Sequence, residues 1–201
     1  HHSPFLNFLQ IGLTRCGAPI SINKSFTQCD FKICIGSVLP HVSARFSGGI
    51  KLIVPGLSSM NTIHHLHCCS ICKSSHDMRS ELDSIAQIIF IDFALQIVCN
   101  PDGDIARVFA DDLQQAFMQA VKYLQNKIII KVTTNNDVGI FNAYPFDTEF
   151  IQSGKALTIV KAHLTVVKKG GLCVVSTAAS EGYGFHSLRG PDMMAPFDDD
   201  W

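Results

Sequence analysis

The chain has 201 residues, 47% of them hydrophobic, and a formal net charge of −1 from sixteen basic and seventeen acidic side chains. That balance excludes the basic footprint of a nucleic-acid binder or of a protein held on an anionic membrane surface, and the length suits one large domain or parts of two. The apolar run from Ile85 to Val98 is interrupted by Gln87, Asp92 and Gln96, short of the roughly 18 to 20 apolar residues that a membrane-spanning helix needs.

In chain order, Pro19 to Cys29 reads as a short helix with Ile20, Ile22 and Phe26 on its apolar side. Phe31 to Gly36 reads as a buried strand that delivers the loop carrying His41. Lys51 to Val54 reads as a short strand stopped by Pro55-Gly56. Thr62 opens a helix bearing His64, His65 and His67, with Ser59 or Asn61 as its cap. Phe93 to Cys99 and Ile105 to Phe109 form a β-hairpin across the turn residues Asn100 to Asp104. Asp111 to Gln125 places Leu113, Phe117, Ala120, Val121 and Leu124 at helical spacing. Ile128 to Val132 reads as a closing strand, and the polar stretch from Thr133 to Asp137 as a domain boundary, dividing the chain into 1–134 and 135–201. Beyond it, Val138 to Phe141, a helix over about Thr148 to Lys168, and Leu172 to Ser176 predict a β-α-β unit of a parallel sheet. The fold class is therefore α/β.

Eight cysteines include the adjacent pair Cys68 and Cys69 and several inside apolar runs, a pattern of reduced, buried thiols in a cytoplasm. No signal-peptide pattern is present, and the first and last residues fall on no recognisable element boundary, which reads as a fragment.

Several residues suit chemistry. Ser47-Gly48-Gly49 is a turn without Cβ obstruction, whose backbone N–H groups suit an approaching phosphate, and Lys51 stands at its exit. By itself such a lysine is most often a solvated side chain and such a turn an ordinary loop. His41 precedes the turn, and a lone loop histidine usually faces solvent. Gln152 and Lys155 lie three apart, on one face if helical, and equally suit a plain polar helix surface. His64, His65, His67, Cys68, Cys69, Cys72 and His76 crowd metal-capable side chains into one segment. His65, Cys69, Cys72 and His76 would share a helical face, but four ligands on one helix are too nearly collinear to surround a zinc ion. A polar helix start is the plain reading of the histidines.

The run HVSARFSGGIKLIVPGLSSMNTIHHLH resembles the nickel-dependent lactate racemase family, whose pattern is His, then Gly-Phe-Ser-Gly-Gly-Arg-Lys, then Pro-Gly, Thr-Ile and His. The matching residues are His41, Phe46, Ser47, Gly48, Gly49, Lys51, Pro55, Gly56, Thr62, Ile63 and His67. Upstream, GLTRCGAPISINKSFTQCDFKICIGSVLP is similar to the family's approach segment. Downstream, IDFALQIVCNPDGDIARVFADDL and NAYPFDTEFIQSGKAL are similar to two further blocks, so nearly all of the chain is covered.

The resemblance implies a two-domain α/β racemase-like architecture, of which this chain is the later part of the cofactor-binding amino-terminal domain and the beginning of a Rossmann-like carboxy-terminal domain. It implies that Lys51 is joined covalently to a nickel-pincer nucleotide, beside Ser47, Gly48 and Gly49, and that His67 is a nickel ligand. His41 is then a proton carrier, and Gln152 and Lys155 bind the substrate carboxylate. The implied reaction is racemisation or epimerisation of a small 2-hydroxy acid such as lactate: a hydride leaves C2 for the cofactor, a histidine takes the hydroxyl proton, and the hydride returns to the other face. Cofactor-synthesis proteins are implied partners, and a second proton carrier is expected outside this chain. Ile50 stands where the family has arginine, and Ile151 where many members have tyrosine. An inactive or differently specific homologue, and a zinc-stapled module without catalysis, are the alternatives.

Overall fold

The computed structural model describes residues 7–15, 17–41, 44–72, 78–128, 131–157 and 166–184, with backbone only for 68–72. The chain divides into two compact units, 1–129 and 130–201.

The first unit opens with a hairpin of β1 (Phe8–Leu13) and β2 (Pro19–Asn23), antiparallel with Phe8 opposite Asn23. The segment expected to be helical from Pro19 is thus a strand over its first half. Its isoleucines alternate with smaller residues, and the pleat sends Ile20 and Ile22 together into the core. Only α1 (Lys24–Thr27) is helical, started by Asn23, whose Oδ1 accepts from the N–H groups of Ser25 and Phe26.

The second sheet has the order β3-β6-β7. Strand β3 (Ile33–Ser37) runs parallel to β6 (Phe93–Cys99), and β7 (Ile105–Asp111) pairs antiparallel with β6. The expected hairpin is present, closed by bonds from Asn100 N–H to Asp104 O and from Asp104 N–H to Asn100 Oδ1. Two short strands, β4 (Pro40–His41) and β5 (Arg45–Phe46), follow β3 in the chain, then a 3-10 helix over Gly49–Leu52, α2 (Met60–Cys72) and α3 (Met78–Ala86). After β7, α4 (Leu113–Ile128) turns Leu113, Ala116, Ala120 and Leu124 inward, and Asp112 caps it by accepting from Gln114 and Gln115 N–H. Ile128 ends this helix and residues 131–132 adopt no regular structure, so the strand expected over Ile128 to Val132 is absent from the described residues.

In the second unit, β8 (Asn136–Asn142) and β9 (Val167–Ser176) pair in parallel. The connection includes α5 (Phe150–Ser153), which passes into a 3-10 helix over Gly154–Leu157. The helix expected to reach Lys168 cannot extend that far, because Val167 and Lys168 already belong to β9. The chain is a mixed α/β protein.

Among the described cysteines, Cys34 is buried, and burial pushes its thiol pKa up. Cys29 and Cys173 are exposed, against the expectation of buried thiols. Cys29 follows the end of α1, and Cys173 lies in β9 between Leu172 and Val174, which are exposed as well. No helix among the described residues is long and apolar enough to cross a membrane.

Candidate active site

The β4–β5 ribbon pairs Pro40 with Phe46 and His41 with Arg45. Ala44 N–H donates to His41 Nδ1 at 3.1 Å, which assigns the proton of the neutral ring to Nε2. Ser47 closes the base of the ribbon: its N–H donates to Leu39 O at 2.8 Å, and its Oγ accepts from Leu39 N–H at 2.9 Å. His41 and the glycine turn are thereby held on one small hairpin.

Gly48 and Gly49 follow with φ of 83° and 58°, a region costly for residues with a Cβ. The turn packs inward. A Cβ on Gly48 would lie 2.7 Å from Gln96 Oε1 and from Val38 Cγ2, and one on Gly49 would lie 2.9 Å from Phe117 Cγ. Gly49 N–H donates to Gln96 Oε1 at 2.8 Å, and Lys51 N–H to Gly48 O at 3.2 Å. The amides of Ser47, Gly49 and Lys51 are therefore spent within the protein. The expectation of exposed N–H groups gives way to a buried turn, because Leu39 O, the Gln96 side chain from β6 and Gly48 O take up these donors.

Lys51 lies in that 3-10 helix and not in a strand, since Gly48 redirects the chain and Pro55-Gly56 follows too soon for one to form. Ile50 is 1% exposed and packs in the core, whereas Lys51, about 120° further round the 3-10 helix, is half-buried. The isoleucine that replaces the family's arginine thus occupies a core position. A groove of about 580 Å³ takes Gly49 and Ile50 into its wall, with Arg79 held by Asp83 and over the Phe117 ring, but Lys51 does not line it.

Helix α2 is fixed by its first turn. Ser59 Oγ accepts from Thr62 N–H, so Ser59 is the cap. The buried Thr62 Oγ1 donates to Pro19 O at 2.9 Å and accepts from Ser21 N–H at 3.0 Å, and Ser59 N–H donates to Ser21 O. The helix start is thereby bonded to β2. Gly56 is required upstream, where a Cβ would collide with the Leu52 carbonyl. On α2, His67 Nδ1 lies 2.8 Å from Ile63 O, and His65 Nδ1 stands likewise to Asn61 O. A carbonyl only accepts, so each Nδ1 carries a proton and the neutral ring's lone pair is on Nε2, the form that binds a metal. Among the described residues no three His, Cys, Asp or Glu side chains gather to hold a metal by themselves. The side chains of Cys68, Cys69 and Cys72, and all of His76, lie outside the described residues.

In the second unit, Gln152 is on α5 and Lys155 in the 3-10 helix that continues it. Gln152 Oε1 is buried with no hydrogen-bond partner. Lys155 is exposed overall, but its Nζ lies 4.5 Å from the Phe146 ring centroid; partial desolvation there lowers its pKa, against the opposing pull of Glu149. The turn from Ser180 to Gly184 supports this segment. Gly182 O and Tyr183 O accept from the N–H groups of Phe150 and Ile151, and the Phe150 and Tyr183 rings stack at 5.5 Å. Ser153 Oγ, 2.6 Å from Thr177 Oγ1, ties α5 to the end of β9.

Gln96 is a site residue that no motif marks. The available signal was a lone amide in the middle of the apolar run from Phe93 to Cys99.

The described elements define a mixed α/β protein whose lysine-bearing 3-10 turn is clamped between β6 and α4. Residues 3–79 match the lactate racemase N-terminal domain family. The chain is 26% identical to lactate racemase of Thermoanaerobacterium thermosaccharolyticum over 188 residues, covering 89% of this chain and 43% of that protein. It is 24% identical to lactate racemase of Lactiplantibacillus plantarum over 200 residues, covering 92% and 46%. The solved lactate racemase apoprotein from T. thermosaccharolyticum superposes with a TM-score of 0.83 at 25% identity, covering 92% of this chain and 46% of that one. A solved protein from Thermotoga maritima, 20% identical, shares the fold with a TM-score of 0.61 over 86% of this chain and 49% of its own. The chain resembles these two lactate racemases over 89% and 92% of its own length, and residues 3–79 carry the match to the N-terminal domain. The whole stretch is thus similar to part of such a protein. It spans less than half the length of the curated relatives it matches.

Proposed function

We propose that these residues serve the racemisation or epimerisation of a 2-hydroxy acid such as lactate, with a nickel-pincer nucleotide joined to Lys51. One observation carries the reading: His41, Ser47, Gly48, Gly49, Lys51 and His67 all fall within the segment that matches the racemase N-terminal domain. The donor set fits the group. Lysine is a nucleophile once deprotonated, on a stem long enough to reach a carbonyl-type carbon, and His67 is held in the tautomer whose Nε2 ligates. The remaining donors would come from the nucleotide. When bound, the cofactor supplies a hydride acceptor.

The chain's own residues then bind and move protons. His41 presents Nε2–H to a substrate oxygen; to accept a proton at Nδ1 it must release the Ala44 N–H, so that bond and proton uptake compete. Lys155 supplies positive charge for a carboxylate. The unsatisfied Gln152 Oε1 accepts from a donor such as the substrate hydroxyl, and a half-turn of the amide would instead offer N–H to the carboxylate. Cofactor-synthesis proteins are the partners this reading requires.

The test is mass spectrometry of the Lys51 peptide together with metal analysis of full-length protein from nickel-supplemented cells that make the cofactor. A sulfur-containing adduct with nickel is expected. Unmodified Lys51 in active enzyme overturns the reading, and zinc without an adduct points to the non-catalytic module.

A further inference from the structure

The glycine turn before Lys51 is held by a residue far away in sequence. Gln96, fully buried on β6, accepts from Gly49 N–H at 2.8 Å, its Oε1 lying 2.7 Å from where a Gly48 Cβ would be. Val38 closes on Gly48 and Phe117 on Gly49. Gly49 is the first residue of the 3-10 helix that contains Lys51, so whatever fixes the Gly49 peptide plane also fixes the direction in which that helix starts. A buried amide side chain in an apolar strand is costly unless bonded, and the Gly49 N–H satisfies it.

We propose that Gln96 is a positioning residue for Lys51. Its Oε1 anchors the Gly49 amide, which sets the 3-10 turn and presents the Lys51 side chain for attachment. The inference rests on the proposed role of Lys51 and adds the residue that orients it.

Two substitutions separate positioning from bulk stability. Gln96→Met keeps the approximate shape and removes the acceptor, and Gln96→Glu keeps an acceptor oxygen at the same reach. In full-length protein made with its cofactor-synthesis partners, Lys51 adduct occupancy is measured by mass spectrometry at a temperature where circular dichroism shows each variant folded. Gln96→Met should lose at least about tenfold in occupancy per folded molecule, as loss of one buried acceptor worth roughly 1.4 kcal/mol implies, and Gln96→Glu should recover most of it. A folded Gln96→Met with wild-type occupancy overturns the proposal. Should Gln96→Met not fold, Gln96→Asn, whose shorter stem withdraws the acceptor, is read against the same criterion. If the wild type itself carries no adduct, the proposed function fails separately. Amide exchange at Gly49 in the unloaded protein then decides the point: about tenfold faster exchange in the variant supports the anchoring, and unchanged exchange refutes it.

Discussion

Nδ1 of His67 lies 2.8 Å from the carbonyl oxygen of Ile63, one helical turn earlier. The bond orients the ring and fixes which nitrogen bears the proton, two requirements for a metal ligand that His65, bonded alike to Asn61 O, also meets. His67→Ala in the full-length enzyme should lose nickel while keeping the Lys51 adduct. Cys69→Ala and Cys72→Ala should change neither. Metal analysis and peptide mass on the same preparations check this; metal lost from the cysteine variants but kept by His67→Ala would transfer the site to the cysteines.

The helix carrying His67 depends on Thr62. Thr62→Val keeps the volume but removes the bonds to Pro19 O and Ser21 N–H, leaving both groups short of a partner in a buried place. The expected loss is about 1–3 kcal/mol of unfolding free energy. Chemical denaturation measures it, and an unchanged midpoint would mean that water replaces the hydroxyl.

The elements legible in the sequence are those that local chemistry specifies. Asn100 to Asp104 marks a hairpin by turn residues alone, and Asp112 with the spacing from Leu113 to Leu124 marks a helix. Over Pro19–Asn23, isoleucines two apart followed by Phe26 fit a helix nearly as well as a strand; only pairing with β1 decides. The apolar Leu52, Ile53 and Val54 after Lys51 read as a strand, yet Gly48 and Gly49 fold the segment back before it can extend. The motif residues were readable as a pattern. Their support was not, since Gln96 and Phe117 reach the turn from other elements and leave no trace within the motif itself.

Gly49→Ala tests that support directly. Alanine at a φ of 58° is strained, and its Cβ would press on Phe117 at 2.9 Å. We expect destabilisation of about 1–3 kcal/mol. Pairing it with Phe117→Ala in a double-mutant cycle should give a favourable coupling, because the contact is relieved while the backbone strain stays. Strictly additive losses would place the whole cost in the backbone.

Lys155 should titrate below the ordinary lysine range, because partial burial penalises its charged form more than Glu149 favours it. The sign for stability follows. Between the folded and unfolded pKa values the unfolded chain binds more protons, so this residue's contribution rises with pH through that window and is least favourable below the folded pKa. Its exposure keeps that contribution small, so the titration itself is the better readout. Glu149→Gln should lower the Lys155 pKa further, since Glu149 holds it up. NMR titration of the side-chain methylene next to Nζ checks both directions, and a rise in the Glu149→Gln protein would contradict the assigned causes.

His41 is expected to carry a proton and hold no metal. Its Nδ1 is engaged by Ala44 N–H within the β4–β5 ribbon, and that bond fixes the ring on the hairpin whose base Ser47 closes. Removing one general acid–base group typically costs about a hundredfold to ten-thousandfold in rate. His41→Ala in the full-length enzyme should therefore keep both nickel and the Lys51 adduct while turnover falls within that range. His41→Gln should do no better, because its amide can imitate the hydrogen bond but cannot move a proton. Turnover measured beside nickel content on the same preparation decides the matter. A variant that loses metal in step with activity would make His41 a ligand, and one that retains full turnover would leave the proton to another residue.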